Sequence, residues 1–183
     1  MRARLFYHCD WMELAFKLLK LGDLHLSISL HTAQPVPQAQ WDLMLVQLRA
    51  LCPAGKLAAE HTRMLVLTDG GAPDVKQRAQ LSEIWGHAEI KVAVMVPGTG
   101  NAEKRGVITA LTWLNPALGM FTPDLFARAL EHLDVRAEQA DVWREVLQLQ
   151  QRLEPLRTVA LIAELNQLPA PGPRRGPEVA THP

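Results

Sequence analysis

Two short glycine-bearing stretches hold the residue types best suited to binding chemistry. Thr68-Asp69-Gly70-Gly71-Ala72-Pro73 follows one continuous apolar run, and Pro97-Gly98-Thr99-Gly100-Asn101 follows another. Each opens a segment whose apolar residues recur at helical spacing. The free N–H groups and positive dipole end of a helix start favour an anion. In open α/β sheets, ligands collect at the carboxyl ends of strands. Thr68, Asp69, Gly70, Gly71, Gly98, Thr99, Gly100, Asn101 and Lys104 are therefore candidate ligand-binding residues for a phosphate or carboxylate, with Lys76, Arg78 and Arg105 close by. The same glycines equally serve as permissive residues of tight strand-to-helix turns. Gly98-x-Gly100 lacks the third glycine of the dinucleotide fingerprint, and no Gly-Lys-Ser/Thr phosphate loop occurs.

Other chemistries lack their constellations. Asp69 has no second carboxylate near it in sequence, and an Asp before Gly-Gly usually bonds its own backbone in a turn. His25 and His31 fall on one face of a predicted strand, but the six positions between them span about 20 Å. Zinc holds every ligand atom at about 2 Å, so these two cannot share an ion; they read as solvated histidines on a wet face. His8-Cys9 has no obvious third partner. Cys52 stands at a predicted helix C-terminus, where the dipole opposes a thiolate. The serines are Ser27, Ser29 and Ser82, without a Gly-x-Ser-x-Gly elbow. The expectation is a protein with no catalytic residue, no metal site and no cofactor.

The elements that must position these residues follow from hydrophobic period. Leu24 to His31 alternates strictly, as a strand with one buried and one wet face does. Leu14, Phe16 and Leu18 alternate before it, and Gly22-Asp23 between the runs completes an antiparallel hairpin. Trp41, Met44, Leu45, Leu48 and Leu51 then predict a helix over 38–52. Met64–Leu67 and Val92–Val96 are continuous apolar runs, each followed by a helical segment, over 74–86 and up to about Leu114. Such runs mark parallel strands covered by helices. Leu118–Phe121 reads as a last strand, and Thr122-Pro123 signals a helix to about Leu133. The prediction is an α/β fold, with a mixed sheet of four to five strands, an N-terminal antiparallel hairpin and β-α-β-α units, plus a long C-terminal helix. Trp41, Trp85, Trp113 and Trp143 fall on predicted helices as core or interface residues.

Residues 138–167 carry Val142, Val146, Leu149, Leu153, Leu156, Ala160 and Ala163 in steps of four and three, a heptad seam that Pro155 should kink or divide. That stripe must be covered by its own domain, by a second copy or by another protein. Val142, Val146, Leu149, Leu153 and Leu156 are therefore candidate interaction residues. Residues 1–135 read as the α/β domain and 136–167 as the helical segment. Residues 168–183, with five of the thirteen prolines, read as a disordered tail.

The 183 residues suffice for one ordinary core. Nineteen basic residues balance nineteen acidic ones, which argues against nucleic-acid binding through bulk charge. The apolar run Leu5–Cys9 is too short for a secretory signal, and no run approaches a membrane span. A cytoplasmic protein with reduced thiols is expected.

Several motifs resemble the STAS-like family of small bacterial α/β domains, the anti-sigma-factor-antagonist type. They are Arg63 to Pro73 with Gln77-Arg78, then Val107-x-x-Ala110-Leu111-x-Trp113-x-Asn115-Pro116, and Phe121-x-Pro123-x-x-Phe126. The resemblance covers about 13–135 and implies a regulatory protein-interaction module rather than an enzyme. The family's antagonists carry a switch serine after the central strand; here the matching stretch, Asp69 to Pro73, has none, and Thr68 is the nearest hydroxyl. The expected function is thus a non-enzymatic module that binds a protein partner or itself, through its surface and C-terminal helix. The alternative is a sensor of small anions or nucleotide phosphates at the 68–73 and 97–101 turns.

Overall fold

The structure is a computed structural model that describes residues 12–51, 59–85, 90–97, 117–153, 163, 164 and 167. Five strands form one sheet: β1 (Leu14–Leu21), β2 (Leu24–His31), β3 (Thr62–Thr68), β4 (Lys91–Met95) and β5 (Leu118–Phe121), adjacent in chain order. β1 and β2 are antiparallel, and every later pair is parallel. The helices are α1 (Gln38–Ala50), α2 (Val75–Trp85), α3 (Phe126–His132) and α4 (Gln139–Gln150). The mixed α/β sheet with an N-terminal hairpin is thus as the residue periods predict. The hairpin closes over two residues, Gly22 and Asp23, with Gly22 at φ 61°. A positive φ at the first turn position alone suits a glycine there.

Each face of the sheet has its own core. Right-handed crossovers between strands that advance in one direction put their helices on one side. Accordingly α1 (Trp41, Met44, Leu45, Leu48) and α2 (Ile84) pack with Leu14, Phe16, Met64 and Val92. After β5 the chain turns back over the other face. There α3 (Phe126, Ala129, Leu130) and α4 (Val142, Val146, Leu149) pack with Ala15, Leu26, Ile28, Leu30, Leu65, Leu67, Ala93 and Met95.

This two-sided cover corrects one expectation. Ser27, Ser29 and His31 do not line a wet face; they are 1%, 2% and 5% exposed. They alternate with Leu26, Ile28 and Leu30, so they point toward the α1/α2 layer. β2 lies second in the sheet, and both of its faces are covered. His25, nearer the hairpin end, is half-buried.

The C-terminal seam also resolves. α4 is twelve residues long and ends at Gln150, ahead of Pro155. Val142, Val146, Leu149 and Leu153 are all buried against the sheet, in the same core as α3. Lys17 of β1 and Glu145 of α4 form an ion pair across the layer, and Trp143 meets Phe126 edge-on at 5.5 Å. The four candidate interaction residues are therefore covered by their own domain, and α4 belongs to the unit that 1–135 begins. Leu156 lies outside the described residues, as do the 98–116 stretch, Cys9, Cys52, Trp113 and the tail.

One cation fixes how α3 meets the sheet. Arg63 is 9% exposed. Its Nε donates to Leu133 O at 3.2 Å, its Nη1 to the carbonyls of Glu60 and Thr62, and its Nη2 to Asp134 Oδ2 at 3.0 Å. Lys91 adds a second cation on Asp134 at 2.9 Å. Asp134 has φ 60°. It is the left-handed residue of a Schellman motif, in which Val135 N–H bonds Leu130 O and Asp134 N–H bonds Glu131 O. The Lys91 ammonium, with the Arg63 guanidinium behind it, holds the Asp134 carboxyl below its usual range. Replacing Arg63 by Leu strands these carbonyls and should cost about 2–3 kcal/mol. Lys at 63 keeps the charge but not the fork, and should fall between the two. Urea midpoints at constant slope measure both; an unchanged midpoint for Arg63→Leu would exclude the clasp as a stabilising element.

Candidate functional site

The carboxyl ends of β2 and β3 bring together the polar residues that the glycine turn predicts, together with several that sequence did not single out. Thr68, Asp69, Gly70 and Gly71 lie here in one turn. Thr68 Oγ1 donates to Gly71 O at 2.8 Å and accepts from Gly70 N–H at 3.0 Å. Asp69 N–H donates to His31 O, and Gly71 N–H to Thr32 O. The three amides that could face an anion thus already have acceptors within the chain. Gly70 has φ 117°, a conformation L side chains rarely adopt. Gly71 is required by close approach: a Cβ there would lie 2.3 Å from Thr32 O and 2.7 Å from Gln34 O.

The start of α2 is occupied as well. Asp74 Oδ1 accepts from Gln77 N–H at 2.8 Å, while Gln77 Oε1 accepts from Asp74 N–H at 3.0 Å. This is a reciprocal capping box, so a carboxylate of the chain itself sits at the helix N-terminus. Gln77 is 2% exposed and also donates to Val36 O at 2.9 Å, which ties α2 to the segment entering α1. Arg78 Nη1 bonds Pro73 O.

Beside this turn, Glu13 is 8% exposed. Its carboxylate accepts from the Thr32 hydroxyl. Gln40 Oε1 of α1 accepts from the amides of Glu13 and Leu14 at 2.8 and 3.0 Å. Sequence reading missed Glu13, Thr32, Gln40 and Gln77. Only Gln77 had a signal, the Asp-x-x-Gln spacing of a capping box. The other three are drawn together by long-range folding and carry no local pattern. The partner turn, Gly98, Thr99, Gly100, Asn101 and Lys104, lies outside the described residues.

His31 ends β2 in register with Leu14 and Thr68. Its Nδ1 is buried and has no hydrogen-bond partner, as are the indole nitrogens of Trp41 and Trp85. Burial pushes the imidazole down to about 4 from its ordinary 6.5. Among the described residues, no three His, Cys, Asp or Glu side chains cluster as a metal site. No helix of the described residues is long and apolar enough to cross a membrane. The arrangement joins β1, β2, β3, α1 and α2 through buried polar groups.

A second kind of surface stands on α1, opposite the sheet. Of the large apolar side chains exposed among the described residues, Leu43 at 66% and Val46 at 62% are two, one turn apart; Met12 and Val75 are the others. Ala39 and Ala50, also exposed, extend the line to the full helix. The sequence carried this stripe at spacing four, three, four, hidden beside the stronger buried stripe of Trp41, Met44, Leu45 and Leu48. No family model, curated protein or solved structure matches the chain.

Two outcomes follow from this geometry. A neutral buried His31 leaves the unfolded chain to take up a proton first as pH falls. Its contribution is complete above pH 6.5 and is lost between 6.5 and about 4. The loss amounts to about 3 kcal/mol by the standard conversion. His31→Gln should remove that part of the acid slope, read as the difference between wild-type and variant urea stabilities at successive pH values. Gly71→Ala forces a Cβ against two backbone oxygens and should lower stability by about 2 kcal/mol, measured by the urea midpoint; an unaltered midpoint would mean the 32–34 backbone yields freely.

Proposed function

We propose that this chain is a protein-interaction module without a reaction of its own, and that its working surface is the outward face of α1. The observation that carries it is the line Ala39, Leu43, Val46, Ala50. A helix that covers a sheet needs one apolar stripe; α1 has two, on opposite sides. The inner stripe fills the core. The outer one adds nothing to that core, and its two large side chains are mostly in water. Single exposed apolar residues are ordinary, but a line of them along one helix is the pattern of a helix that docks.

Two further features support this choice over anion sensing. The amides of the 69–71 turn and the start of α2 are taken by the chain's own acceptors. The C-terminal seam as far as Leu153 is spent within the domain, so docking moves from α4 to α1. The STAS-like resemblance implies the same broad class, a regulatory binding module, and the proposal extends to that role.

Site-specific photocrosslinking tests it. A benzophenone side chain placed at 43 or 46, in the cells that make this protein, should give discrete protein adducts. The same group at exposed Lys20 or Arg128 should give none above background. Equal labelling at all four positions, or none at 43 and 46, would sink the proposal. Leu43→Glu with Val46→Glu should abolish function in those cells while leaving the thermal midpoint within about 2 °C, because surface changes of this kind usually stay within ±0.5 kcal/mol.

A further inference from the structure

The flanks of the α1 stripe say what covers it. Resting on the interaction surface just described, we infer that the occupant is a second copy of this chain, paired α1 to α1 in antiparallel sense about a two-fold axis. Ala39, Leu43, Val46 and Ala50 follow the four-three spacing of a heptad seam. One flank of that seam carries Asp42 and Arg49, and the other carries Gln40 and Gln47. Asp42 and Arg49 are seven residues apart, about 10 Å along the helix. Neither takes part in an ion pair among the described residues. Asp42 accepts only a neutral bond from Gln38, and both side chains are exposed.

A two-fold axis makes a patch meet itself, so each residue must find its complement within the same surface. Antiparallel pairing satisfies this along the apolar seam and on the charged flank. Leu43 meets Val46 of the second copy, and Val46 meets its Leu43. Ala39 meets Ala50, and these small residues let the helix ends approach. On the charged flank Asp42 faces Arg49 of the other copy, twice by symmetry. On the opposite flank Gln47 is exposed, while the Gln40 amide oxygen is held within its own chain by the amides of Glu13 and Leu14. Parallel pairing instead puts the charged flank against the amide flank and leaves both ions without a counter-ion. The antiparallel arrangement also sets the two helix dipoles head to tail.

The stripe is one short helix wide, narrower than the roughly 800 Å² per partner of stable dimers. Assembly is therefore weak and concentration-dependent. The full chain, followed by sedimentation equilibrium from 5 to 500 µM, should pass from the mass of one copy to that of two. Leu43→Glu with Val46→Glu should hold it at one copy at every concentration with an unchanged circular dichroism spectrum. Asp42→Arg alone and Arg49→Asp alone should each weaken pairing about tenfold or more by setting like charges opposite. An equimolar mixture of those two single variants should pair again, at least as tightly as wild type, because each supplies what the other lacks.

A single-copy mass across the whole range overturns the second copy as occupant. If adducts at 43 and 46 then contain another protein, the interaction surface stands and only the occupant falls; if adducts are absent too, both fall. A dimer that survives the Leu43 and Val46 changes also overturns the inference, since another face would hold it. A dimer that those changes abolish but the charge variants leave untouched overturns the antiparallel geometry.

Discussion

A guanidinium shut into a protein must be surrounded by acceptors, since an unpaired buried charge costs several kcal/mol. Arg63 meets that demand from two distant parts of the chain. Glu60 and Thr62 offer carbonyls from the segment entering β3; Leu133 and Asp134 offer a carbonyl and a carboxylate from the end of α3. The C-terminal end of α3, where carbonyls lack helical partners and the dipole is negative, is thereby aimed at a buried cation on that face. Asp134 then adopts the left-handed conformation, which costs about 1–2 kcal/mol for a residue with a Cβ. Its carboxylate is bonded by both Arg63 and Lys91. The turn reverses the chain, and α4 has only the β1 and β2 end of the sheet left to cover. Phe121, His132 and Gly119 complete the junction: the His132 and Phe121 rings lie 5.7 Å apart, and a Cβ on Gly119 would lie 2.6 Å from the Phe121 ring.

With α3 and α4 on one face, the placement of α1 and α2 decides what the polar side of β2 becomes. Leu26, Ile28 and Leu30 are closed from one side by α3 and α4, and Ser27, Ser29 and His31 from the other by α1 and α2. Strict alternation of apolar and polar residues ordinarily marks a half-wet strand. Here the polar half consists of residues that a core can take. Ser27 donates to Arg63 O at 3.3 Å, and His31 stays neutral. The hairpin, the parallel strands and the helices α1 and α2 were legible because each rests on local period and turn chemistry. Whether the polar side of β2 was wet was not, because that depends on how α1 and α2, which follow β2 in the chain, come to rest on that face.

The same limit explains the seam of α4. Steps of four and three specify a helix with one apolar stripe, and they do not distinguish a sheet from a second helix as its cover. The pattern runs on through Leu153 toward Pro155, where a break is expected; α4 ends at Gln150, and Leu153 is buried from the turn that follows. At the other end of the sheet, Gly70-Gly71 invited a ligand. The structure gives those glycines another cause, the approach of the 32–34 backbone to Gly71 and the positive φ of Gly70. Thr68, Asp74 and Gln77 then bond within the turn and cap what a phosphate would have capped.

Polar chemistry in this protein is therefore turned inward. Arg63 with Asp134 binds one end of the sheet, and Glu13, Thr32, Gln40 and Gln77 bind the other. Apolar chemistry shows the converse. α1 already supplies Trp41, Met44, Leu45 and Leu48 to the core, and those four suffice to seat it. Leu43 and Val46 gain nothing from the fold, and each keeps well over half of its surface in water. Exposing such side chains has no benefit to a solitary chain, whereas burying them against a complementary surface releases about 25 cal/mol for every Å² removed from water. In the proposed assembly that release falls on the outer side of α1, and the arrangement of Asp42 and Arg49 along that side is complementary to its own reversed image.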